Sequence, residues 1–190
     1  MTNLDLSTLV LHKGSHEDSP LLCVMEATAV WLGENKKDHG IDAVCPRIEV
    51  YARVLNDTMP HEERQRLIAF IPRLPNTKPR TEAQDLARRW MLQETATKLF
   101  AASAMRAAGL TEQADKLSRC VVTDSETSRF WAAEAAEAAR AAEVAWAEGA
   151  ALAALAAGAA GAVWAADAAG MWDESINLLD RLIKVTEEAA

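Results

Sequence analysis

Apolar residues recur at helical spacing through most of the chain and predict a fold made of α-helices. The first such run, LLCVMEATAVWL, follows Ser19-Pro20, which suits the start of a helix, and it stops at Gly33, a usual residue just past a helix end. No window alternates apolar and polar residues for long enough to predict a β-strand. The pattern therefore predicts an all-α protein, a helical bundle of about seven helices.

Prolines and turn residues separate the helices that follow. Two helices are predicted over about 47–55 and 60–71, and the proline-rich stretch after them should be an irregular connection. Thr81 begins a capping box, the pairing of a Ser or Thr with a Glu or Gln three residues later. Because no helix-breaking residue follows before Gly109, we expect one helix over Glu82–Ala108.

The most unusual stretch, residues 131–170, is mostly alanine, with another residue type at every third position. Alanine is the best helix former, so we expect one long alanine-rich helix of up to about 60 Å, with a break near a glycine as the alternative. Such a helix buries little apolar area and should be enclosed by neighbouring helices or a second copy, with Gly149, Gly158 and Gly161 permitting close approach. An amphipathic helix follows over about 173–188. The residues at every third position of the alanine-rich stretch begin with Trp131, Glu134, Glu137, Arg140, Glu143 and Trp146.

These elements divide the chain into three parts. Residues 1–18 hold one short apolar patch and are expected to form a loosely docked N-terminal arm. Residues 19–122 should form a helical domain that contains a candidate anion-binding cleft. In residues 123–190, the alanine-rich helix and the C-terminal amphipathic helix should pack on the same domain.

The chain is acidic, with 20 Lys and Arg against 28 Asp and Glu and a formal net charge of −8 at pH 7. This balance argues against a protein that binds duplex nucleic acid. Residues 149–166 are uncharged, but their alanines and glycines are too weakly apolar to predict a membrane span. The three cysteines and the absence of a signal-peptide pattern predict a reduced, cytoplasmic protein.

Four residues in and after the first predicted helix could form a zinc site: Cys23, Glu26, His39 and Cys45. Cys23 and Glu26 lie one helical turn apart, and the other two lie in the irregular segment that follows. Thiolates, imidazole and carboxylate are all zinc ligands, and such a cluster would suit a metal-dependent hydrolase. The alternative is that both cysteines are buried as small hydrophobic residues and that His39 is solvated.

Positive charge gathers in one part of this acidic chain. Residues 47–89 contain nine Lys and Arg against six Asp and Glu, and eight of the nine cations are arginine. Arginine binds phosphate and carboxylate groups through paired hydrogen bonds, so a cleft for a small anionic ligand is predicted here. The alternative is that these cations face solvent or pair with nearby carboxylates. The predicted ligand-binding residues are Arg47, Arg53, Arg64, Arg66 and Arg73.

No motif of a common enzyme class is present: the chain has no P-loop, no G-x-G-x-x-G, no H-E-x-x-H and no C-x-x-C. Tryptophan accounts for six of the ten aromatic residues, and Trp131, Trp146 and Trp164 interrupt the alanine-rich stretch. Core packing or an interface between copies is favoured for these rings over stacking on a nucleobase. We therefore expect a homo-oligomer more than an enzyme.

Six short motifs precede the Ala/Trp-rich stretch: Cys23-Val24-Met25-Glu26-Ala27, Gly33-Glu34, Cys45-Pro46, Asn56-Asp57, Arg64-Gln65 and Ile71-Pro72. Together with that stretch they resemble a group of uncharacterised proteins from actinobacteria and their phages. The resemblance covers about residues 19–75 and the composition of the tail. It implies a phage or actinobacterial setting, in which small acidic proteins often bind host components, and it brings no activity with it.

These observations predict a non-enzymatic binding protein that self-associates through its alanine-rich helix. Its ligand would be a small anionic molecule, such as a nucleotide immune signal, or a host protein, which in a phage would act against host defence. No cofactor is expected unless the candidate zinc site is real. Two other classes stay open: a metal-dependent hydrolase built on the Cys/Glu/His cluster, and a structural phage component assembled from the alanine-rich helix.

Overall fold

The computed structural model describes residues 4–16, 18–121, 125–155 and 159–187, and no β-strand occurs among them, which confirms the all-α class. The chain divides into two compact units: unit 1 contains Met1–Leu86 and Leu179–Ala190, and unit 2 contains Ala87–Leu178. In chain order the helices are α1 (Val24–Trp31), α2 (Pro46–Thr58), α3 (His61–Arg64) with a 3₁₀ turn over Gln65–Phe70, α4 (Glu82–Thr95), a π-helical segment (Ala96–Ala101), α5 (Ala102–Ala107), α6 (Thr111–Arg119), α7 (Ser125–Ala141), α8 (Ala145–Leu155), α9 (Ala159–Ala169) and α10 (Trp172–Glu187).

Large side chains form the core of unit 1. Ile48, Tyr51 and Leu55 lie three or four residues apart on α2 and are fully buried, so they share one face of the helix. Met25 from α1 and Leu67 from the 3₁₀ turn are also fully buried. Complete burial of a side chain of this size contributes about 1.5–3 kcal/mol. Unit 1 therefore has an ordinary apolar core.

The helix predicted over Glu82–Ala108 is present as a continuous run of α4, the π-helical segment and α5. Thr81 caps it as expected, because its Oγ1 accepts a hydrogen bond from the Gln84 N–H at 3.3 Å. The run ends before Gly109, whose φ of 81° is the left-handed conformation that favours glycine. The π-helical segment was not predicted, because no residue type marks this change of hydrogen-bond register.

The prediction of one long alanine-rich helix is wrong: the stretch folds as α7, α8 and α9, and the long C-terminal helix, α10, is not alanine-rich. α7 ends because Glu143 adopts a left-handed φ of 58°. The Glu143 N–H donates to the Arg140 carbonyl and the Val144 N–H to the Ala139 carbonyl, each at 3.0 Å. This is the Schellman pattern, which is usually built on glycine. Helices that fold back can bury their alanine surfaces on each other, which a single extended rod cannot.

Unit 2 is packed mainly through alanine. α8 packs against α7 and α9, and both α8 and α9 pack on the π-helical segment. Gly161 is buried in α9, whereas Gly149 is exposed on α8 with open space where a Cβ would lie, so Gly149 is no point of close approach; Gly158 lies outside the described residues. The described ranges contain no helix with the length and apolar character of a membrane span. The buried residues of α7 to α9 include Ala132, Ala135, Ala136, Ala139, Ala147, Ala151, Ala162, Val163, Ala165 and Ala166.

Candidate functional site

Two of the four candidate metal ligands, Cys23 and Glu26, cap the start of α1. The Cys23 Sγ accepts a hydrogen bond from the Glu26 N–H at 3.4 Å, and the Glu26 Oε2 accepts one from the Cys23 N–H at 2.7 Å. Burial raises the pKa of the Cys23 thiol to about 12. The thiolate that a metal requires is therefore disfavoured at neutral pH.

The other two candidate ligands lie in different surroundings. Cys45 is buried at the start of α2, where its N–H donates to Thr77 Oγ1 at 3.0 Å. The His39 side chain is largely exposed and lies beside Asp38. Across the described part of the chain, no group of three or more His, Cys, Asp or Glu residues could hold a metal ion. The four predicted zinc ligands thus do not form one cluster: Cys23 and Glu26 bond each other, whereas Cys45 and His39 have other neighbours.

Two of the predicted anion-binding arginines form ion pairs with distant carboxylates of unit 1. The Arg47 Nε and Nη2 bond the two carboxylate oxygens of Asp85 at 2.8 and 2.9 Å. Arg73 bonds Glu187 at 3.0 and 3.1 Å and Asp180 at 2.7 Å. The hydrogen bonds that Arg73 donates to Glu187 and then to Asp180 raise the pKa of Arg73 above its usual range. Both guanidinium groups therefore hold unit 1 together, as the alternative interpretation expected.

The remaining three arginines do not restore the predicted anion cleft. Arg64 is buried, donating to the Met59 carbonyl at 2.8 Å and to the Asn56 carbonyl, at the end of α2. Arg66 pairs with Glu63 at 2.7 Å. Arg53 is half-buried and has no hydrogen bond or ion pair to another described residue. Four of the five cations are thus engaged within the chain.

Glu26 also fixes the segment that precedes α1. Its Oε1 accepts the His16 N–H at 2.6 Å, its Oε2 lies 3.0 Å from His16 Nδ1, and Lys36 Nζ lies 3.9 Å from Oε1. Burial alone would raise the pKa of Glu26, but the hydrogen bonds from Cys23 and His16 outweigh it and hold that pKa below its ordinary value. A fully buried carboxylate here is therefore a structural anchor.

Other residues of the resemblance motifs bond the same N-terminal segment. The Gln65 side chain accepts from the Leu11 N–H at 2.8 Å and donates to the Leu11 carbonyl at 3.0 Å. Asn56 Nδ2 donates to the His12 carbonyl at 2.8 Å, and Asp57 accepts the Gly14 N–H at 2.8 Å. The Leu11 side chain is fully buried. Residues 11–16 are thus closely docked in unit 1, and residues 1–3 and 17 of the predicted arm lie outside the described residues.

A groove between α6 and α7 of unit 2 is a candidate binding site. Two adjoining cavities, of about 300 and 630 Å³, are both lined by Trp131 and Lys116. The buried side chains of Leu117 and Ala135 line the smaller cavity. The remaining lining residues of the smaller cavity are Gln113, Glu134, Glu137, Ala138 and Ala141.

The charges along this groove are not balanced. Lys116 is held by Glu112 at 2.9 Å, and this hydrogen bond, followed by the charge of Glu112, raises the pKa of Lys116. Glu134 and Glu137 are exposed and form no hydrogen bond or ion pair with another described residue. The charge of Glu134 also contributes to raising the pKa of Lys116 across the groove. The smaller cavity is therefore lined by two carboxylates, Glu134 and Glu137, and by one lysine that already pairs with Glu112.

Large apolar side chains lie near the groove at the surface. Phe130 is 54% exposed and contacts Trp131 edge-to-face, with the ring centroids 5.3 Å apart. Val121, which lines the larger cavity, is 68% exposed. Trp164 on α9 is also exposed, and the Trp146 side chain lies outside the described residues. Unit 2 thus presents apolar area where an interaction site needs it.

Sequence reasoning found one wall of this groove and missed the other. The three-residue pattern marked Trp131, Glu134 and Glu137, which all line the smaller cavity. Lys116 and Leu117 on α6 lie more than ten residues away, and their pattern is that of any short amphipathic helix. Only the fold brings the two walls together.

No protein-family model, curated protein or solved structure matches this chain. The phage or actinobacterial setting and the cytoplasmic location therefore stay predictions. The candidate function rests on the geometry of the groove.

Proposed function

We propose that the protein is a non-enzymatic binding protein whose groove between α6 and α7 takes a short segment of a partner protein. That segment carries an apolar anchor side chain followed by a basic residue. The observation that carries the proposal is an apolar floor beside an exposed carboxylate, Glu134, that forms no hydrogen bond or ion pair with another described residue and lines the same cavity.

The apolar floor supplies the contact energy. A cavity of about 300 Å³ is at the small end of ligand sites and fits one large side chain. Trp131 provides the broad, rigid surface that binding hot spots use most often. Leu117 and Ala135 are already buried, so an anchor entering the groove meets a preformed floor.

The carboxylates of the groove determine which charge a partner should carry. Because Glu112 engages Lys116, the groove attracts a cation through Glu134. The net charge of −8 also speeds the approach of a basic partner and slows that of an anion. The groove thus favours a basic protein segment over the small anionic ligand expected from the arginine count, and it fits the host-protein alternative.

Fluorescence anisotropy with dye-labelled synthetic peptides tests this function. The peptides contain one Trp or Leu anchor, flanked by Lys in one set and by Glu in the matched set. We expect the Lys-flanked peptides to bind at least about tenfold more tightly. Trp131→Ala should weaken their binding by about thirtyfold, as for a hot-spot residue.

A charge-matched control separates the groove from the general acidity of the chain. Glu134→Gln should reduce the preference for Lys, whereas Glu174→Gln, which removes the same charge at an exposed position of α10, should leave it unchanged. Equal binding of both peptide sets, absence of binding, or equal effects of the two substitutions would contradict the proposal.

A further inference from the structure

One exposed stripe of α7 has a charge pattern that is complementary to itself. Its residues lie three or four positions apart along the helix, so they share a face. Their charges run negative, positive, neutral, negative and positive. The stripe consists of Glu126, Arg129, Ala133, Glu137 and Arg140, all exposed.

Stripe residues at equal distances on either side of Ala133 carry opposite charges. Arg129 and Glu137 each lie four residues from Ala133, on opposite sides, and Glu126 and Arg140 each lie seven residues away. Two α7 helices that cross antiparallel at Ala133 would therefore place every charge of one opposite the reverse charge of the other. A parallel arrangement would place like charges together.

The stripe's charges are largely unused within one chain. Glu126, Arg129 and Glu137 form no ion pair with any described residue. Arg140 bonds Glu148 at 2.6 Å, but its side chain stays 63% exposed. Ion pairs across an interface are thus available without breaking a buried contact.

The packing of this face also suits a helix crossing. Ala133 is small and exposed, so a second helix can approach at the short end of the usual interaxial range of about 8–10 Å. Phe130, more than half exposed beside the stripe, supplies apolar area at the same level. Close approach and a flanking aromatic ring are what a two-fold interface requires, because every contact occurs twice.

We propose that two copies of this chain form a two-fold dimer in which their α7 helices cross antiparallel at Ala133. Arg129 of each copy pairs with Glu137 of the second copy, and Glu126 pairs with Arg140. Glu137 lies at the rim of the groove and is neutralised in the dimer, so Glu134 is left as the free carboxylate there. The dimer goes beyond the proposed binding function and carries two grooves per assembly, which increases the avidity for a repeated partner.

Charge reversal combined with sedimentation velocity tests the pairing. The wild-type chain should show twice its mass of 20.6 kDa. Arg129→Glu and Glu137→Arg should each raise the dimer Kd by about tenfold or more, because like charges then face each other. The double substitution restores opposite charges and should return the Kd close to the wild-type value. Circular dichroism verifies that these surface variants stay folded.

A cysteine at the crossing gives an independent test. Ala133→Cys should form a disulfide-linked dimer on mild oxidation, because the two positions meet at the axis. Ala141→Cys is the control: it is exposed on the same helix but about 12 Å along from Ala133, so its two copies would lie about 24 Å apart. The native cysteines are buried and free, so they should not form the cross-link.

Several outcomes would overturn the dimer. A monomer mass at high concentration would do so directly. A dimer that ignores all three charge variants, or that cross-links equally through both positions, would use another surface. These results leave the groove untouched, since the Lys preference of peptides depends on Glu134 and can be measured on either form.

Discussion

Unit 1 buries large side chains, whereas unit 2 buries mainly alanine. Most of the large side chains that are fully buried in the described residues belong to unit 1, and unit 2 contributes Arg88, Phe100, Met105 and Leu178. Apolar burial contributes about 25 cal/mol per Å², so each packed alanine contributes little. In unit 2, Phe130 and Trp164 are more than half exposed. The unit with the poorer core therefore has two large aromatic rings at the surface, where they are available for binding.

The two units also treat buried polar groups differently. In unit 1, Glu26, Asn56 and Arg64 are buried, and each bonds backbone groups of a neighbouring segment. In unit 2, both amide atoms of Gln93 are buried and have no hydrogen-bond partner among the described residues. Such a group costs about 1–3 kcal/mol. Unit 2 also pairs other buried polar groups, since the buried Ser175 hydroxyl donates to the Met171 carbonyl at 3.0 Å, so Gln93 is the group expected to destabilise it.

The largest effect should follow from breaking the anchor of unit 1. Glu26→Gln keeps the size of the side chain but replaces an acceptor of several hydrogen bonds with a group that also donates. We expect a loss of about 3 kcal/mol in the free energy of unfolding. Hydrogen exchange read by mass spectrometry should show the loss in unit 1. Glu34→Ala, which removes a surface ion pair with Lys37, should cost less than about 1 kcal/mol.

The Glu26→Gln variant also tests how the free energy of unfolding depends on pH. Because the pKa of Glu26 in the folded chain lies below the ordinary 4.5, its ionised form stabilises the fold above that pH. The contribution is lost as the pH falls through the lower, folded-state pKa. The stability difference between wild type and Glu26→Gln should therefore shrink in acid. A difference that stays constant from neutral to acidic pH would contradict the anchor.

A smaller effect, of opposite sign, is expected in unit 2. Gln93→Leu removes the unpartnered amide with little change in volume and should raise the free energy of unfolding by about 2 kcal/mol. Tryptophan fluorescence can follow it, since five of the six tryptophans lie in unit 2. Gln84→Leu is the matched control, because its amide oxygen accepts the Arg80 N–H at 2.7 Å and its loss should destabilise. If Gln93→Leu destabilises as well, the Gln93 amide has a partner in solution.

The smallest effect concerns the turn between α7 and α8. Glu143→Gly should stabilise the protein by about 1 kcal/mol, because glycine adopts the left-handed conformation without steric cost. Denaturant unfolding measures the change. Glu143→Ala keeps the steric cost and should alter stability by less than about 0.5 kcal/mol. An equal gain from both substitutions would mean that the glutamate charge, and not the backbone, destabilises the turn.

Helix ends show how far sequence reasoning reaches. Gly33 and Gly109 mark the ends of α1 and α5, and both have positive φ. Glu143 makes the same turn but was not predicted. The prediction of helix ends relied on glycine, and this turn contains a glutamate instead. α7 and α8 pack against each other on either side of this turn, and that contact is a property of the folded chain that residue types do not indicate.

Ion pairs between residues far apart in sequence show the same limit of sequence reasoning. The sequence correctly indicated a concentration of arginine, but Arg47 and Asp85 are 38 residues apart, and Arg73 and Glu187 are 114 apart. A count over a window cannot pair such residues. The cations therefore suggested a ligand site, although four of the five predicted ligand-binding arginines pair with carboxylates or bond a helix end.

The three buried cysteines can report local opening of the chain, because a reagent reaches their thiols only when the surrounding structure opens. Burial raises the pKa of both Cys23 and Cys120, so an alkylating reagent reacts with them in the closed state only slowly. Cys23 and Cys45 lie in unit 1 and Cys120 in unit 2. The alkylation rate at each position then measures how often its own unit opens, without any added probe.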